Sequence, residues 1–189
     1  MKKLSILMMT AASIFFGTAT FAQMTGKEKT VEVGGAPMYP SKDIVSNAVN
    51  SKDHTTLVAA VKAAGLVPTL QSAGPFTVFA PTNAAFNLLP DGTVTNLLKP
   101  ESKEMLTKVL TYHVVAGKFA AKDIAKLIKA GNGSAMVKTV AGGMLTVTMV
   151  GKKLAIKDEN GGTAYVTIKD VNQSNGVIHV IDHVVLPKM

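Results

Sequence analysis

The sequence predicts an α+β fold, with helices first and strands after, on three observations. Between about Ser41 and Gly131, apolar residues recur at helical spacing in short runs closed by glycine or proline. From Ser134 the period drops to two, as where Leu145, Val147 and Met149 alternate with Thr146 and Thr148. Near the end, residues 175–187 read Asn-Gly-Val-Ile-His-Val-Ile-Asp-His-Val-Val-Leu-Pro, a β-branched run opened by a turn dipeptide and closed by proline. One face of that strand carries Val177, His179, Ile181, His183 and Val185; the other carries Ile178, Val180, Asp182, Val184 and Leu186. Both are mostly apolar, so the strand is expected to be central and covered on each side. Helices and strands are segregated along the chain, which argues against a repeating βαβ plan.

The chain opens with Met1-Lys2-Lys3, continues through an apolar stretch from Leu4 to Phe16, and reaches Thr18-Ala19-Thr20-Phe21-Ala22. A basic head, an apolar run and a small-x-small end describe a secretory signal peptide over 1–22, cleaved after Ala22. The apolar run falls short of the ~20 residues a spanning helix needs. The expectation is therefore an exported protein, periplasmic or extracellular, with no transmembrane anchor after cleavage. Residues 23–40, rich in glycine and proline, read as an N-terminal arm with a short extended piece at Thr30–Val33. Residues 41–189 form the domain.

Within it, Ser41 is expected to cap a first helix bearing Asp43 in its first turn. A second helix over Thr55–Ala64, capped by Asp53, stops at Gly65. A helical turn follows near Pro68–Gln71. Phe76–Ala80 is a short strand, after which Thr82 caps a helix that begins at Asn83. Val94–Leu98 and Glu101–Leu110 are further helices, the second with Met105, Leu106, Val109 and Leu110 as its buried stripe. Tyr112–Val115 reads as a strand and Ala121–Lys129 as a helix ended by Gly131. The joints Gly142-Gly143, Gly151-Lys152 and Asn160-Gly161 mark hairpins in the following meander.

Composition excludes several functions. There is no cysteine, hence no thiol catalysis and no cysteine-ligated metal. The formal net charge is +8, and all twenty basic residues are lysine. Arginine is the preferred fork for guanine edges and phosphate, and these lysines are scattered, so a solvated basic surface is expected and no nucleic acid. Loose attraction to anionic lipid or polysaccharide surfaces stays open. His179 and His183 have the i, i+4 spacing of a helical chelate, but on a strand they lie about 13 Å apart, too far for one ion. Asp182 among apolar neighbours needs donors, and structural tethering fits it better than a triad with His113 or His179. No Gly-x-Ser-x-Gly elbow or His-Glu-x-x-His zinc motif is present, and Gly131-Asn132-Gly133 follows a helix, the wrong order for a phosphate loop. No enzyme and no cofactor are expected.

Three stretches resemble a known family. Thr77-Val78-Phe79-Ala80-Pro81-Thr82-Asn83-Ala84-Ala85-Phe86, then Tyr112-His113-Val114-Val115, then Asn175 through Asp182 are similar, in family order, to the signature boxes of fasciclin-like domains. The resemblance spans about Ser41 to Pro187 and implies a wedge of two β-sheets with helices packed alongside. It implies structural roles for Thr77, Phe79, Pro81, Thr82, Asn83, Phe86, His179 and Asp182. The family often has aspartate where Asn83 stands, and either side chain can bond the turn. Tyr112-His113 matches a motif that the family associates with adhesion. A second adhesion motif of animal relatives corresponds here to Ile168-Lys169-Asp170-Val171-Asn172, sharing Asp170, with Val171 a near match. Tyr112, His113, Asp170 and Val171 are thus the candidate interaction residues, although a buried tyrosine anchor suits Tyr112 better. The resemblance implies a secreted, non-catalytic adhesion or matrix module whose partner is a protein or polysaccharide at the envelope or matrix. The alternative is a carrier of an apolar ligand, a carotenoid or lipid, held at the seam between helices and sheet.

Overall fold

The computed structural model describes residues 28–188. The expected signal peptide and its cleavage point after Ala22 lie outside the described residues. Strands β1 (Val31–Val33) and β2 (Ala36–Met38) form a hairpin across Gly34-Gly35, inside the stretch read as an arm. Val33 and Met38 are buried, so this hairpin packs into the core. Gly34 has φ +59°, and a Cβ there would meet Ser51 Oγ at 2.4 Å.

Helices α1 (Ile44–Ala48), α2 (Thr55–Ala64) and α3 (Val67–Gln71) follow. The cap of α1 is Asp43, not Ser41: its carboxylate accepts from the amides of Val45 and Ser46 at 2.9 Å. Asp43 directly precedes the first helical residue, two positions nearer than Ser41, while the Ser41 hydroxyl donates to Glu28. Helix α2 ends at Gly65 in the left-handed conformation, as its position after the apolar run requires.

Strand β3 (Phe76–Pro81) leads into α4 (Asn83–Asn87) and α5 (Thr93–Leu97). Pro100–Ser102 forms one 3-10 turn before α6 (Lys103–Tyr112). Tyr112 therefore closes a helix instead of opening a strand, and β4 is only Val114–Ala116. Met105, expected in the buried stripe, is 46% exposed; Leu106, Val109 and Leu110 carry the packing. Helix α7 (Ala121–Ala130) precedes β5 (Ser134–Lys138), β6 (Met144–Val150), β7 (Lys153–Lys157), β8 (Thr163–Gln173) and β9 (Gly176–Ile181).

Strands β3 to β9 are ordered β4-β3-β9-β8-β7-β6-β5. Only β3 and β9 pair in parallel, from Phe76 opposite Gly176 to Pro81 opposite Ile181. All six residues of β9 are buried, which accounts for its doubly apolar sequence. The eleven-residue β8 serves two partners. Its start pairs with β7 and its remainder with β9, with register shifts between Val166 and Ile168 and between Ile168 and Val171. These irregularities bend the strand, so the two sheets of the wedge share β8. A bridge between Val115 and Thr139 brings the outermost strands, β4 and β5, together.

Two apolar clusters result. Val78, Ala80, Ile178 and Val180 face the helices, meeting Leu57, Val61, Leu106 and Leu110. Phe79 and Ile181 face the interior of the wedge with Leu145, Val147 and Ile156, closed by Ile124 and Ile128 of α7. Strand β9 ends at Ile181, so Asp182 to Pro187, expected to continue it, are not part of the strand. Ile168 to Asn172, the run that corresponds to the second adhesion motif, lies within β8, where Val171 and Asn172 pair with β9.

Candidate functional site

The boxes singled out by sequence are placed as anchors. Thr82 accepts from the amide of Ala85 and starts α4, with Phe79 in the wedge cluster and Phe86 in the helix-side cluster. Pro81 is the last residue of β3 and needs no amide at the strand's end. Asn83 works across elements. Its Oδ1 accepts from the amide of Thr56 at 3.0 Å, and its Nδ2 donates to the Lys52 carbonyl at 2.8 Å. Asp53, expected to cap α2, makes no cap bond; Asn83 takes that place from the next layer. The amide's donor is in use, so asparagine and aspartate are not equivalent here, contrary to expectation.

Three polar residues converge on the connection between β4 and α7. Thr77 Oγ1 donates to the Gly117 carbonyl at 2.7 Å and accepts from the Phe119 amide at 2.9 Å. His179 Nε2 donates to the Phe119 carbonyl at 2.9 Å, and its ring stacks on Phe79 with centroids 5.8 Å apart. Asp170 Oδ1 accepts from the Ala121 amide at 2.6 Å and caps α7, whose own cap residue, Ala120, has no side-chain acceptor. Val171 is fully buried. The expected interaction run thus buries its valine and commits one aspartate oxygen to the cap of α7.

Tyr112 and His113 do the same. Tyr112 is 0% exposed; its hydroxyl donates to the Met144 carbonyl at 2.8 Å and accepts from the Glu159 amide at 3.2 Å. Burial raises its pKa, which keeps the phenol a donor. His113 Nδ1 donates to the Val109 carbonyl at 2.8 Å, and Nε2 accepts from the Val185 amide at 3.2 Å. Burial pushes this imidazole down to about 4, against the hydrogen bond to Val109. It is a neutral ring with a fixed tautomer. Neither side chain is presented to a partner.

Asp182 is half-exposed, since it lies just past β9. Its Oδ1 accepts from the Tyr165 amide at 2.7 Å and contacts His183 Nδ1 at 2.8 Å. His179 and His183 share no site: one is buried, the other sits at the surface. Among the described residues, no group of three His, Asp or Glu side chains could hold a metal. No helix there is long and apolar enough to cross a membrane. Sequence reasoning missed one anchor of equal weight. Asn175 Oδ1 accepts from the Ile44 amide at 3.1 Å, and its Nδ2 donates to the carbonyls of Leu70 and Ser72.

Two hollows remain. One is an apolar cavity of about 60 Å³ at the seam between the helices and the sheet, lined by Val45, Leu57, Val61, Leu70, Val78 and Leu110. The other is an open cleft of about 660 Å³ between α7, the β6–β7 hairpin and β8. Lys122, Lys152, Lys153 and Lys169 line it.

The Fasciclin domain family model matches residues 52–187. Protein sll1483 of Synechocystis sp. is 44% identical over 96% of this chain and 93% of its own length. Immunogenic protein MPB70 of Mycobacterium bovis is 37% identical over 78% of this chain and 70% of its own. Among solved structures, a FAS1 domain pair from the insect cell adhesion molecule fasciclin I superposes with a TM-score of 0.69 at 18% identity. That superposition covers 85% of this chain and 58% of the other. Sequence and architecture agree, and the chain belongs to the Fasciclin domain family.

Proposed function

We propose that this protein is an exported, non-catalytic interaction module that binds another macromolecule at the cell envelope or in the surrounding matrix. One observation carries the reading. The polar residues of the family boxes, the natural candidates for chemistry, are spent on backbone groups of the protein itself. Recognition then falls to the exposed surface outside the boxes, where loops and clefts on a rigid scaffold do such work. A related fold occurs in a cell adhesion molecule, which supports the same class of role. Purified protein should be retained on envelopes of its native host, and the retention should weaken with salt as the Debye length shortens from about 10 Å at 0.1 M. Absence of retention at every salt concentration would overturn the reading.

The seam cavity favours a second reading, a carrier of an apolar ligand. Its lining is almost wholly apolar, but at about 60 Å³ it is far below the roughly 300–1,000 Å³ of ordinary ligand pockets. A carotenoid or lipid would enter only if the helices part from the sheet. The absorbance spectrum and lipid extract of protein purified from its native host decide between the two.

A further inference from the structure

We propose that the cleft between α7, the β6–β7 hairpin and β8 binds an acidic polysaccharide, its lysines pairing with the carboxylate or sulfate groups of the sugar chain. The inference rests on the interaction-module reading and names the partner's chemistry. Lys122 comes from the first turn of α7, Lys152 and Lys153 from the β6–β7 hairpin, and Lys169 from β8. The fold thus gathers onto one hollow four ammonium groups that are dispersed in the chain. Among the described residues, none of the four has a carboxylate within salt-bridge distance; only Lys126 pairs, with Asp123. Four lysines against the two carboxylates of Asp170 and Asp182 leave the hollow with an excess of positive charge, which focuses a positive potential into it.

The rest of the lining selects among anions. Tyr165 and Met149 give the cleft apolar faces suited to the flat, CH-rich side of a sugar ring. Asp170 and Asp182 also line it. Each has an oxygen engaged by a backbone amide, at Ala121 and Tyr165, and a carboxylate has further acceptor sites for sugar hydroxyls. A nucleic-acid strand offers those two carboxylates few free hydroxyls, whereas every ring of a sugar chain carries them. Lysine as a point charge suits single carboxylates and sulfates, whereas no arginine fork is present. The concavity is equally ill suited to a flat lipid surface. At about 660 Å³ the cleft has room for a short stretch of sugar chain.

The test is titration of the protein purified from its native host with a galacturonic acid hexamer and with neutral maltohexaose. Two variants of equal net charge accompany it: K122Q/K152Q/K153Q/K169Q in the cleft, and K29Q/K99Q/K103Q/K138Q elsewhere. All eight lysines are exposed, and matching melting curves verify that both variants fold. Binding of the acidic hexamer only, weakened at least about tenfold by the cleft variant and little by the other, is the expected result, since four modest exposed ion pairs act together. No binding of the acidic hexamer, equal weakening by both variants, or tighter binding to phosphatidylglycerol vesicles or duplex DNA would overturn it. If the wild-type protein is retained on native envelopes but fails to bind the hexamer, this inference falls and the interaction-module reading stands. Failure of envelope retention with intact hexamer binding has the opposite meaning.

Discussion

The backbone amide of Asp170 donates to His179 Nδ1 at 3.3 Å, so a buried side chain on β9 fills the gap that the irregular register leaves in β8. Asp170 has φ +59° there, a conformation few residues other than glycine accept and that aspartate tolerates. The same two residues then reach in one direction, to Phe119 and Ala121, and fix the approach to α7. A strand irregularity is thereby converted into a helix cap.

Asp170→Ala should lower stability by about 1–2 kcal/mol through the lost cap, with the left-handed backbone adding to the cost. Asp170→Asn should lose much less, because asparagine accepts a hydrogen bond and tolerates the same conformation. Hydrogen exchange is the specific readout: amides at the start of α7 should lose protection in Asp170→Ala while those of α2 keep theirs. Uniform change across both helices would show that Asp170 is no local cap. His179→Ala should cost about 1–3 kcal/mol. Asp182→Ala should cost less than His179→Ala, since Asp182 is half-exposed and water can replace it at Tyr165.

Asn83→Ala should destabilise by about 1–2 kcal/mol, because it strips the N-terminus of α2 as well as the Lys52 carbonyl. Asn83→Asp keeps the acceptor for Thr56 but sets a carboxylate oxygen against the Lys52 carbonyl. It should therefore lose about 1 kcal/mol, most of it above the pKa of the new carboxylate. Urea midpoints at pH 7 check both; an unchanged Asn83→Ala midpoint would remove Asn83 from the list of anchors.

How much of this could be read in the sequence follows from the range of the interactions. The α2 boundaries, the Gly65 stop, the Thr82 cap and the meander hairpins were legible because each is decided within a few residues. The end of α6 was not: Tyr-His-Val-Val has a strand's composition, yet the last turn is held by the His113 ring on Val109 and by Tyr112 reaching Met144. Asn175-Gly176 read as a simple turn. Its glycine is needed because a Cβ would strike the Phe76 carbonyl at 2.1 Å, and its asparagine bonds to groups over a hundred residues away. The lysine cleft was invisible for the same reason. Its charges look scattered along the chain, and only the packing of α7 against β5 and β6 assembles them.

Stability should fall as the pH drops from about 6.5 toward 4. His113 is held down to about 4 in the fold by burial, against about 6.5 when unfolded. Between those values the unfolded chain binds the extra proton, so stability rises with pH across the window and is fully recovered above it. A gap of this size corresponds to roughly 3 kcal/mol. Burial lowers His54 and His179 as well, adding to the loss in the same direction. Urea unfolding at pH 7 and pH 4.5 measures the effect, and His113→Asn should flatten it. A pH-independent midpoint across that window would contradict a neutral, buried His113.

Tyr112→Phe separates fold from recognition at the motif linked by resemblance to adhesion. The hydroxyl ties α6 to Met144 at the start of β6 and to Glu159 in the β7–β8 turn, so its removal should cost about 1–3 kcal/mol. The ring stays, and with it the packing against the wedge cluster. Because Tyr112 is wholly inside, retention of the variant on native envelopes should equal that of wild type at temperatures well below its melting point. It should fail only as the variant unfolds. Loss of retention by a variant that is still folded, shown by near-ultraviolet circular dichroism at the same temperature, would mean that the hydroxyl meets a partner directly. The domain would then have to open its helix-to-strand corner to bind.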